Sequence, residues 1–378
     1  MKLILLHQKP FFEHKNRKTM KNKIVAGSIF LLAETLPTVA CTGISTTSQD
    51  GCYIQARTIE GSDMDLPGQI VVIPRGQQLQ SFTPTDANGM KFTAKYGAVG
   101  LAVVRQEFIV EGINERGLSC GLFFFPEYGS YESFTEANRP KTIGDLQLNQ
   151  WLLTQFSSVK EVIEALKSGS VHIVGLDDKA TVHWRVGDAT GRQVVIEIIQ
   201  GKLHIHENTV GVITNAPEFQ WHLTNLNNYV NLFPGSAVPH NLKEQSLQPM
   251  GGNSGFLGIP GDATSPSRFV RAAFYCATAP KCPDAITAIK LCFHILNNFD
   301  IPIGIEHPLG KAPNIPSATH WTSVINLTNR IVYFKTAYNN TIRYIDLNKI
   351  DFATVDYYTT PMDKTKEQPM KEILIPSH

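Results

Sequence analysis

Cys41 stands directly after a segment that has the layout of a secretory signal. Residues 1–23 are rich in Lys, Arg and His, residues 24–33 form a short apolar run, and small residues lead up to the cysteine. Cleavage after Ala40 would make Cys41 the first residue and would leave its thiol beside a free α-amino group. Because such an amine has a reference pKa of about 8, it can serve as the base for its own side chain. The pattern predicts an N-terminal cysteine nucleophile.

The same segment predicts export of a mature chain, to the periplasm or to the medium. The signal covers residues 1–40, although Met20 opens a more conventional signal than the first methionine, and a single mature domain spans residues 41–378. The apolar run is shorter than the roughly 20 residues that cross a bilayer, so we expect no stable membrane insertion. A lipoprotein is the alternative, in which an acylated Cys41 would lack a free amine. Thr38 occupies the position where lipoprotein signals usually carry Leu.

Composition and charge argue against several classes of protein. The 34 Lys and Arg residues nearly balance the 33 Asp and Glu residues, and a formal net charge of +1 provides no field for binding nucleic acid. The hydrophobic share of 42% and the charged share of 18% are those of a globular chain. The sequence has no G-x-S-x-G, H-E-x-x-H, Walker or G-x-G-x-x-G motif, which argues against serine triads, zincins and nucleotide enzymes. His204 and His206 share one face of a predicted strand but have no third ligand in view, so we expect no metal.

Strand and helix signals come in blocks along residues 41–378. Short β-rich runs with Gly, Asp and Asn turns come first, two helices follow, and then strands, helices and closing strands. This order predicts an α+β domain with four layers, helix, sheet, sheet and helix, rather than a regular βαβ alternation. The Pro- and Gly-rich stretch 233–262 predicts a surface loop or a mobile lid. The predicted helices are 145–156, 159–166, 267–279 and 284–297, and the closing strands are 323–334 and 342–347.

The spacing of the six cysteines contains no C-x-x-C pair, which argues against zinc. Cys120 lies in an apolar stretch and is predicted to be a core residue. Cys276 and Cys282 flank Pro280 and could form a disulfide in an oxidising compartment. With Cys41 reserved for chemistry, the remaining five cysteines cannot all pair, and the pairing stays open.

Seven motifs follow one another along the mature chain: Cys41-Thr-Gly-Ile-Ser, Ala56-Arg57-Thr-Ile-Glu60, Glu111-Gly-Ile-Asn-Glu-Arg-Gly-Leu118, Gly211-Val-Ile-Thr-Asn215-Ala-Pro217, Asn225-Leu-Asn-Asn-Tyr229, Pro260-Gly-Asp-Ala-Thr-Ser-Pro-Ser-Arg268-Phe-Val-Arg271 and Tyr333-Phe-Lys-Thr336. In this order they resemble the choloylglycine hydrolase and penicillin V acylase family of N-terminal nucleophile hydrolases. The resemblance covers nearly all of residues 41–378. It implies an αββα sandwich in which the N-terminal cysteine opens a strand, often in a homotetramer. It also implies hydrolysis of a linear amide in a small molecule, without a cofactor.

The resemblance also implies catalytic roles, position by position. Cys41 would be the nucleophile, and its proton would pass through its own amine to the leaving group. Arg57 matches an arginine beside the nucleophile, where a fixed positive charge favours the thiolate. Glu60 stands where the family usually has Asp, and the longer side chain could displace its hydrogen bond to the α-amine. Asp63 is then the alternative partner of the amine.

Three further positions match the family's site. Asn215 matches the asparagine of the oxyanion hole, whose side-chain amide would donate to the tetrahedral intermediate. The second donor would be the backbone N–H of Phe124, where the family often carries Asn or Tyr. Arg268 matches the last arginine of the set and could polarise the site or bind a carboxylate. Glu60 and Phe124, which both depart from the family pattern, leave a catalytically inactive relative as an alternative.

An aromatic cluster indicates where the acyl part of a substrate would lie. Phe123, Phe124, Phe125 and Tyr128 are expected to form a wall that suits a flat or alkyl acyl group, and the alternative is that they are core residues. Because of Phe124 and the exported layout, we expect an acylase of the penicillin V or N-acyl homoserine lactone type rather than a bile salt hydrolase. A lipid-anchored binding protein is the alternative from a different class.

Overall fold

A computed structural model of the chain describes residues 40–61, 66–86, 88–177, 180–306 and 318–376. The predicted signal, apart from Ala40, lies outside the described residues, and so does Asp63. Within these ranges the chain forms two large antiparallel sheets, three two-stranded sheets and five α-helices. None of these helices is long and apolar enough to cross a membrane.

The strands of the described residues are β1 (Cys41–Thr47), β2 (Tyr53–Gly61), β3 (Gln69–Ile73), β4 (Gln78–Gln80), β5 (Lys91–Thr93), β6 (Ala98–Ala102), β7 (Ile109–Asn114), β8 (Ser119–Phe124), β9 (Thr142–Gly144), β10 (His172–Val174), β11 (Val182–Gly187), β12 (Gln193–Ile199), β13 (Lys202–Glu207), β14 (Val212–Ile213), β15 (His240–Leu242), β16 (Gln245–Leu247), β17 (Ala318–Asn326), β18 (Ile331–Thr336), β19 (Asn339–Asp346) and β20 (Tyr358–Pro361). The helices are α1 (Leu148–Gln155), α2 (Val159–Lys167), α3 (Phe219–Asn225), α4 (Ser265–Thr278) and α5 (Ala285–Leu296).

The two large sheets stack face to face, and helices cover their outer faces. The first sheet has the strand order β14-β1-β2-β17-β18-β19, and the second has the order β13-β12-β11-β8-β7-β6-β3-β20. Helices α4 and α5 pack on β1, β2 and β17 of the first sheet, and α1 packs on β7 and β8 of the second. Arg185 of the second sheet donates hydrogen bonds to the carbonyls of Ile44 and Ala56 in the first, so the inner faces meet directly. The predicted α+β sandwich with four αββα layers is confirmed.

Capping residues explain where the predicted helices begin. Ser158 and Asp284 each accept a backbone N–H of the first turn, at the starts of α2 and α5. The helix predicted over 145–156 begins only at Leu148, because a 3₁₀ turn precedes it. The carboxylate of Asp145 accepts two backbone N–H groups there, one of them from a distant loop. A tertiary contact therefore sets this boundary.

Two predictions about loops and strands meet different outcomes. The single strand predicted over 323–334 is wrong, because β17 and β18 are separate antiparallel strands. The turn between them contains Arg330 with a positive φ of 55°, a conformation that ends a strand. The stretch 233–262 contains a small exposed hairpin, β15 and β16. Movement of this stretch as a lid stays a prediction.

The cysteines are separate thiols in this structure. Cys120 is fully buried, so its prediction as a core residue is confirmed. Cys276 and Cys282, which were candidates for a disulfide, are both free. Burial raises the pKa of Cys276 to about 12, which keeps that thiol protonated and unreactive at neutral pH.

Strand β1 lies inside the first sheet, between β14 and β2, and one of its glycines is required by packing. The register pairs Gly43 with Arg57 of β2 and with Ile213 of β14. A Cβ on Gly43 would lie 2.7 Å from Cγ2 of Ile213 and 2.8 Å from Cζ of Phe123. The absence of a side chain at this position lets the Phe123 ring of the second sheet approach the backbone of β1.

Replacing Gly43 with alanine should destabilise the fold by roughly 1–3 kcal/mol, because the added methyl group displaces Ile213 or the Phe123 ring. Gly252→Ala is the matched control, since a Cβ at this exposed position meets no atom within 4 Å. Denaturant unfolding of both variants and the parent measures the difference. Equal free energies of unfolding for Gly43→Ala and Gly252→Ala would contradict the close packing described above.

Candidate active site

The sulfur of Cys41 lies against the guanidinium of Arg57, which is fully buried. Nη2 of Arg57 is 2.8 Å from Sγ of Cys41. The other nitrogens donate to backbone carbonyls: Nη1 to Val110, at 2.8 Å, and to Leu122, and Nε to Thr58, at 3.2 Å. Because all three nitrogens are engaged, the guanidinium has a fixed orientation with one edge directed at the sulfur.

Asn215 and Arg268 contact the main chain of Cys41. The N–H of Cys41 donates to Oδ1 of Asn215 at 2.8 Å, and Nη2 of Arg268 donates to the same oxygen at 2.7 Å. Nη1 of Arg268 donates to Oγ1 of Thr42 at 2.8 Å and also to the carbonyl of Cys41. Arg57 and Arg268 therefore approach Cys41 separately, one at the sulfur and one at the backbone.

Asn215 is held in place by side chains that bind its loop, which follows β14. The N–H of Asn215 donates to Oγ of Ser265 at 3.0 Å, and Nε2 of His222 donates to the carbonyl of Asn215 at 3.0 Å. Nε2 of His183 donates to the carbonyl of the preceding Thr214 at 3.0 Å. These bonds orient the side chain of Asn215 before any substrate arrives.

Phe124 lies at the end of β8, next to Asn215. Nδ2 of Asn215 donates to the carbonyl of Phe124 at 2.8 Å. The backbone N–H of Phe124 lowers the pKa of the Cys41 thiol. Asn215 therefore presents its oxygen to Cys41, while its Nδ2, the predicted oxyanion donor, is bonded to Phe124. Donation by Asn215 or by the Phe124 N–H to a substrate oxygen stays a prediction.

Glu60 lies on the opposite face of β2 from Arg57. Strand alternation directs Arg57 toward the second sheet and Glu60 toward the helices. Oε1 of Glu60 accepts a hydrogen bond from Oγ1 of Thr319 at 3.3 Å, and Oε2 has no partner among the described residues. The N–H of Cys41 donates to an asparagine instead. The predicted hydrogen bond between Glu60 and this nitrogen is therefore not present in the structure, in which Ala40 still precedes Cys41.

Burial changes the ionisation of both Glu60 and Cys41. It raises the pKa of the Glu60 carboxyl to about 8, and the positive charge of Arg268 offsets this only in part. It also raises the pKa of the Cys41 thiol above its ordinary value, against the opposing charge of Arg57. At pH 7 the Glu60 carboxyl is therefore mostly protonated.

The four aromatic residues expected to line the site do not form one wall. Phe123 and Phe125 are fully buried, because alternate residues of a strand point to opposite faces. The Phe123 ring centroid lies 4.1 Å from the guanidinium carbon of Arg57, and the Phe125 ring stacks on a buried histidine. Phe124 is partly exposed and Tyr128 is 36% exposed, so of the four these two reach the surface.

The sequence model described as linear amide C-N hydrolases, choloylglycine hydrolase family, matches residues 41–360. This chain belongs to the choloylglycine hydrolase family. A relative named bile salt hydrolase/transferase, from Clostridium perfringens (strain 13 / Type A), is 33% identical over 86% of this chain and 98% of its own length. A penicillin V acylase from Pectobacterium atrosepticum is 27% identical over 90% of this chain and 89% of its own length.

Solved structures agree with this membership in the choloylglycine hydrolase family. A variant of the conjugated bile acid hydrolase from Clostridium perfringens is 31% identical and superposes with a TM-score of 0.75, covering 88% of this chain and 100% of that one. The penicillin V acylase from Agrobacterium tumefaciens is 25% identical with a TM-score of 0.68, covering 84% and 90%. The predicted family and fold are confirmed, and the chain is a linear amide hydrolase.

Sequence reasoning missed a buried ion-pair network in this member of the family. Oε1 of Glu111 accepts from Nη2 of Arg185 at 2.9 Å, and Oε2 of Glu111 is 3.7 Å from Nη1 of Arg57. All three side chains are buried between the sheets. An arginine between Trp184 and Val186 in a buried strand was the signal that could have been used, since arginine is rarely buried without a partner.

A second missed group supports the loop of Asn215. Nδ1 of His183 is 3.0 Å from Oε1 of Glu197. Burial alone would raise the pKa of Glu197, but hydrogen bonds from His183 and His206 hold that pKa at about 2. Burial lowers the pKa of His222 to about 4, so this histidine is neutral when its Nε2 donates to the loop.

The raised pKa of Glu60 makes the stability of the chain that retains Ala40 depend on pH. The folded state keeps a proton that an unfolded carboxyl loses above its ordinary pKa of 4.5. The stabilisation that comes from protonated Glu60 is fully present below pH 4.5 and is lost as the pH rises toward about 8. Glu60→Gln removes this pH dependence. The free energy of unfolding of the variant, relative to that of the parent, should therefore increase from pH 5 to pH 8. The increase is about 1.4 kcal/mol for each pH unit over which Glu60 of the folded parent stays protonated.

Denaturant unfolding of Glu60→Gln and the parent at a series of pH values measures this change. Asp262→Asn is the matched control, because the pKa of Asp262 is about 2 and its side-chain partners are the hydroxyl groups of Ser267 and Thr264, which do not titrate in that window. Asp262→Asn should therefore be less stable than the parent by the same amount at every pH. A constant difference for Glu60→Gln as well would show that Glu60 is ionised in the fold.

Proposed function

We propose that cleavage after Ala40 frees the α-amine of Cys41 and that the exported enzyme hydrolyses small linear amides with an apolar acyl group, such as penicillin V or N-acyl homoserine lactones. The observation that carries this proposal is the convergence on Cys41 of Arg57 at the sulfur and of Asn215 at the nitrogen. These are the groups that an N-terminal nucleophile needs.

In the proposed reaction the sulfur of Cys41 attacks the acyl carbonyl and forms a tetrahedral intermediate. The α-amine takes the thiol proton and gives it to the departing amine, so that the C–N bond breaks and a thioester remains. Water then attacks the thioester, the acid leaves, and the thiol regains its proton. Proton transfer by a positioned base of this kind contributes roughly 10²–10⁴ in rate.

Two contacts support the choice of the amine as the base. Oδ1 of Asn215 accepts from the nitrogen of Cys41, which fixes the direction of that nitrogen. The guanidinium of Arg268 donates to the same oxygen, and a nearby positive charge disfavours an ammonium group. The amine would therefore stay neutral and able to accept a proton near pH 7.

The substrate class is proposed from the surface beside the sulfur. The backbone N–H of Phe124 lowers the pKa of the Cys41 thiol, the Phe124 side chain is partly exposed, and Tyr128 is exposed nearby in sequence. Two aromatic side chains suit a phenoxyacetyl or alkyl acyl group. A conjugated bile salt is the second candidate, because the relative named bile salt hydrolase/transferase is 33% identical, against 27% for the penicillin V acylase.

Export and assembly are part of the same proposal. The signal-like layout of residues 1–40 supports export to the periplasm or the medium, with a lipid-anchored binding protein as the rival from another class. A homotetramer is proposed from the family resemblance. Large apolar side chains exposed between residues 230 and 257 support association, because monomers rarely expose clusters of this kind. They are Val230, Phe233, Val238, Leu242, Leu247, Met250 and Leu257.

Kinetics on one purified sample that begins at Cys41 test the substrate class. We expect kcat/KM to be highest for penicillin V or an N-acyl homoserine lactone and lower for conjugated bile salts. Cys41→Ser should lose nearly all turnover, Asn215→Ala should lose roughly 10²–10³ in kcat, and Cys276→Ser should behave as the parent. A higher value for bile salts would make the second candidate the function. No cleavage of any amide by a sample with a free Cys41 amine would refute the mechanism.

Intact mass and N-terminal sequencing test the maturation step in a Gram-negative host that expresses the full chain. The expected product begins at an unmodified Cys41 and is recovered from the periplasm or the medium, since the mechanism needs the free amine. A diacylated N-terminus would favour the anchored binding protein. An uncleaved chain would contradict the proposed maturation.

A further inference from the structure

The fully buried pair of Glu111 and Arg185 has no part in the reaction proposed above. We propose that both are positioning residues, which direct Arg57 to the sulfur of Cys41 and leave the buried cluster with one positive charge for the thiolate to neutralise. This role rests on Cys41 being the nucleophile of the proposed function.

The contacts of Glu111 are divided unequally between the two arginines. Nη2 of Arg185 donates to Oε1 of Glu111 at 2.9 Å, whereas Nη1 of Arg57 is 3.7 Å from Oε2, beyond hydrogen-bond distance. Arg185 is itself fixed by bonds from Nη1 to the carbonyls of Ile44 and Ala56, at 3.2 and 3.1 Å. Arg185 therefore holds Glu111, and Nη2 of Arg57 remains available to the sulfur.

Close packing keeps this arrangement in place. A Cβ on Gly121 would lie 2.6 Å from Oε2 of Glu111, so the carboxylate fits only because that position is glycine. The ring of Phe123 lies close to both cations, 4.1 Å from the guanidinium carbon of Arg57 and 5.5 Å from that of Arg185. The aromatic ring is attractive to both cations.

The charge of the cluster depends on the state of Cys41. Side chains of Arg57, Arg185 and Glu111 are at most 1% exposed, and together they carry two positive charges and one negative charge. An uncompensated charge is costly at a site without water. A thiolate 2.8 Å from Arg57 brings the total to zero. Without Arg185 the cluster would already be neutral, and the thiolate would add an unmatched negative charge.

The other charged groups around Cys41 are the same in the parent and in the variants described below. Arg268 approaches from α4, Glu60 lies on the helix side of β2, and Glu306 acts on Glu60. Burial raises the pKa of the Cys41 thiol, the charges of Arg57 and Arg268 oppose this rise, and Glu60 adds to it. All of these groups are retained in the variants below, so differences between variants report on Glu111 and Arg185.

Two single substitutions should shift the thiol pKa of Cys41 in opposite directions. Arg185→Met removes a positive charge and should raise it, and Glu111→Gln removes a negative charge and should lower it, each by about one unit or more. The double variant has the formal charge of the parent and should return close to the parent pKa. The readout is the ultraviolet absorbance of the thiolate as a function of pH, in chains that begin at Cys41. Because Glu111 and Arg185 also act on the thiol of Cys120, the baseline is Cys41→Ser made in each variant separately.

Conservative variants separate this role from a structural one. Arg185→Lys keeps the charge and should keep the parent thiol pKa. Glu115→Gln removes a different carboxylate, just beyond the end of β7, the strand that carries Glu111. Glu115 pairs with the surface residue Arg75 at 3.2 Å. This variant should also leave the thiol pKa of Cys41 unchanged. A purely structural role would lower the stability of the Arg185 and Glu111 variants without moving the thiol pKa in opposite directions.

Shifts in the same direction, or no shift in folded single variants, would overturn the inference. If Arg185→Met does not fold, Glu111→Gln and Arg185→Lys still decide it, because the first must lower the thiol pKa and the second must not change it. The titration uses no substrate. Failure to hydrolyse any amide would therefore refute the proposed function, while the titration would still decide the role of Glu111 and Arg185.

Discussion

The burial of the Arg57 guanidinium between the two sheets is the constraint on which the site depends. Moving a cation out of water costs several kcal/mol, so its N–H groups need fixed acceptors. These acceptors are the carbonyl of Thr58 in the first sheet and those of Val110 and Leu122 in the second. The two sheets must therefore keep one spacing and one register. Gly43 makes that spacing possible, because it lets an aromatic ring of the second sheet reach the backbone of β1.

The first sheet also separates two electrostatic environments around one residue. On its inner face the sulfur of Cys41 meets Arg57 and the charge cluster behind it, which favours a negative sulfur. At the main chain, Asn215 accepts from the nitrogen of Cys41, and Arg268 donates to the Cys41 carbonyl and to the same Asn215 oxygen, so that its positive charge would favour a neutral amine after cleavage. A residue that acts as nucleophile and as base needs both conditions at once. A position in a strand supplies both conditions, because the side chain of Cys41 and its backbone contact groups from different layers.

The parts of the fold and site that sequence could predict are those encoded by contiguous residues. Cap residues and apolar periodicity located four of the five α-helices of the described residues, all except α3. Short motifs contained the residues that the structure brings together, namely Cys41, Arg57, Asn215 and Arg268. Contacts between distant strands were not predictable: Glu111 and Arg185 are 74 residues apart, and no local pattern links them. One other expectation conflicted with strand geometry, because the consecutive aromatic residues Phe123 and Phe124 cannot share a face.

The contacts of Cys41 exist while Ala40 is still attached. Its nitrogen bonds Asn215 and its sulfur bonds Arg57, whereas the carbonyl of Ala40 accepts only the N–H of Glu60, at 2.9 Å, among the described residues. Cleavage after Ala40 would break none of the bonds that position Cys41. It would convert an amide nitrogen, which does not accept a proton, into an amine that does, and it would deprive the Glu60 N–H of its acceptor. The contacts of Cys41 are thus already in place before the proposed cleavage, and the first local change on cleavage would fall on β2 at Glu60 rather than on the sulfur.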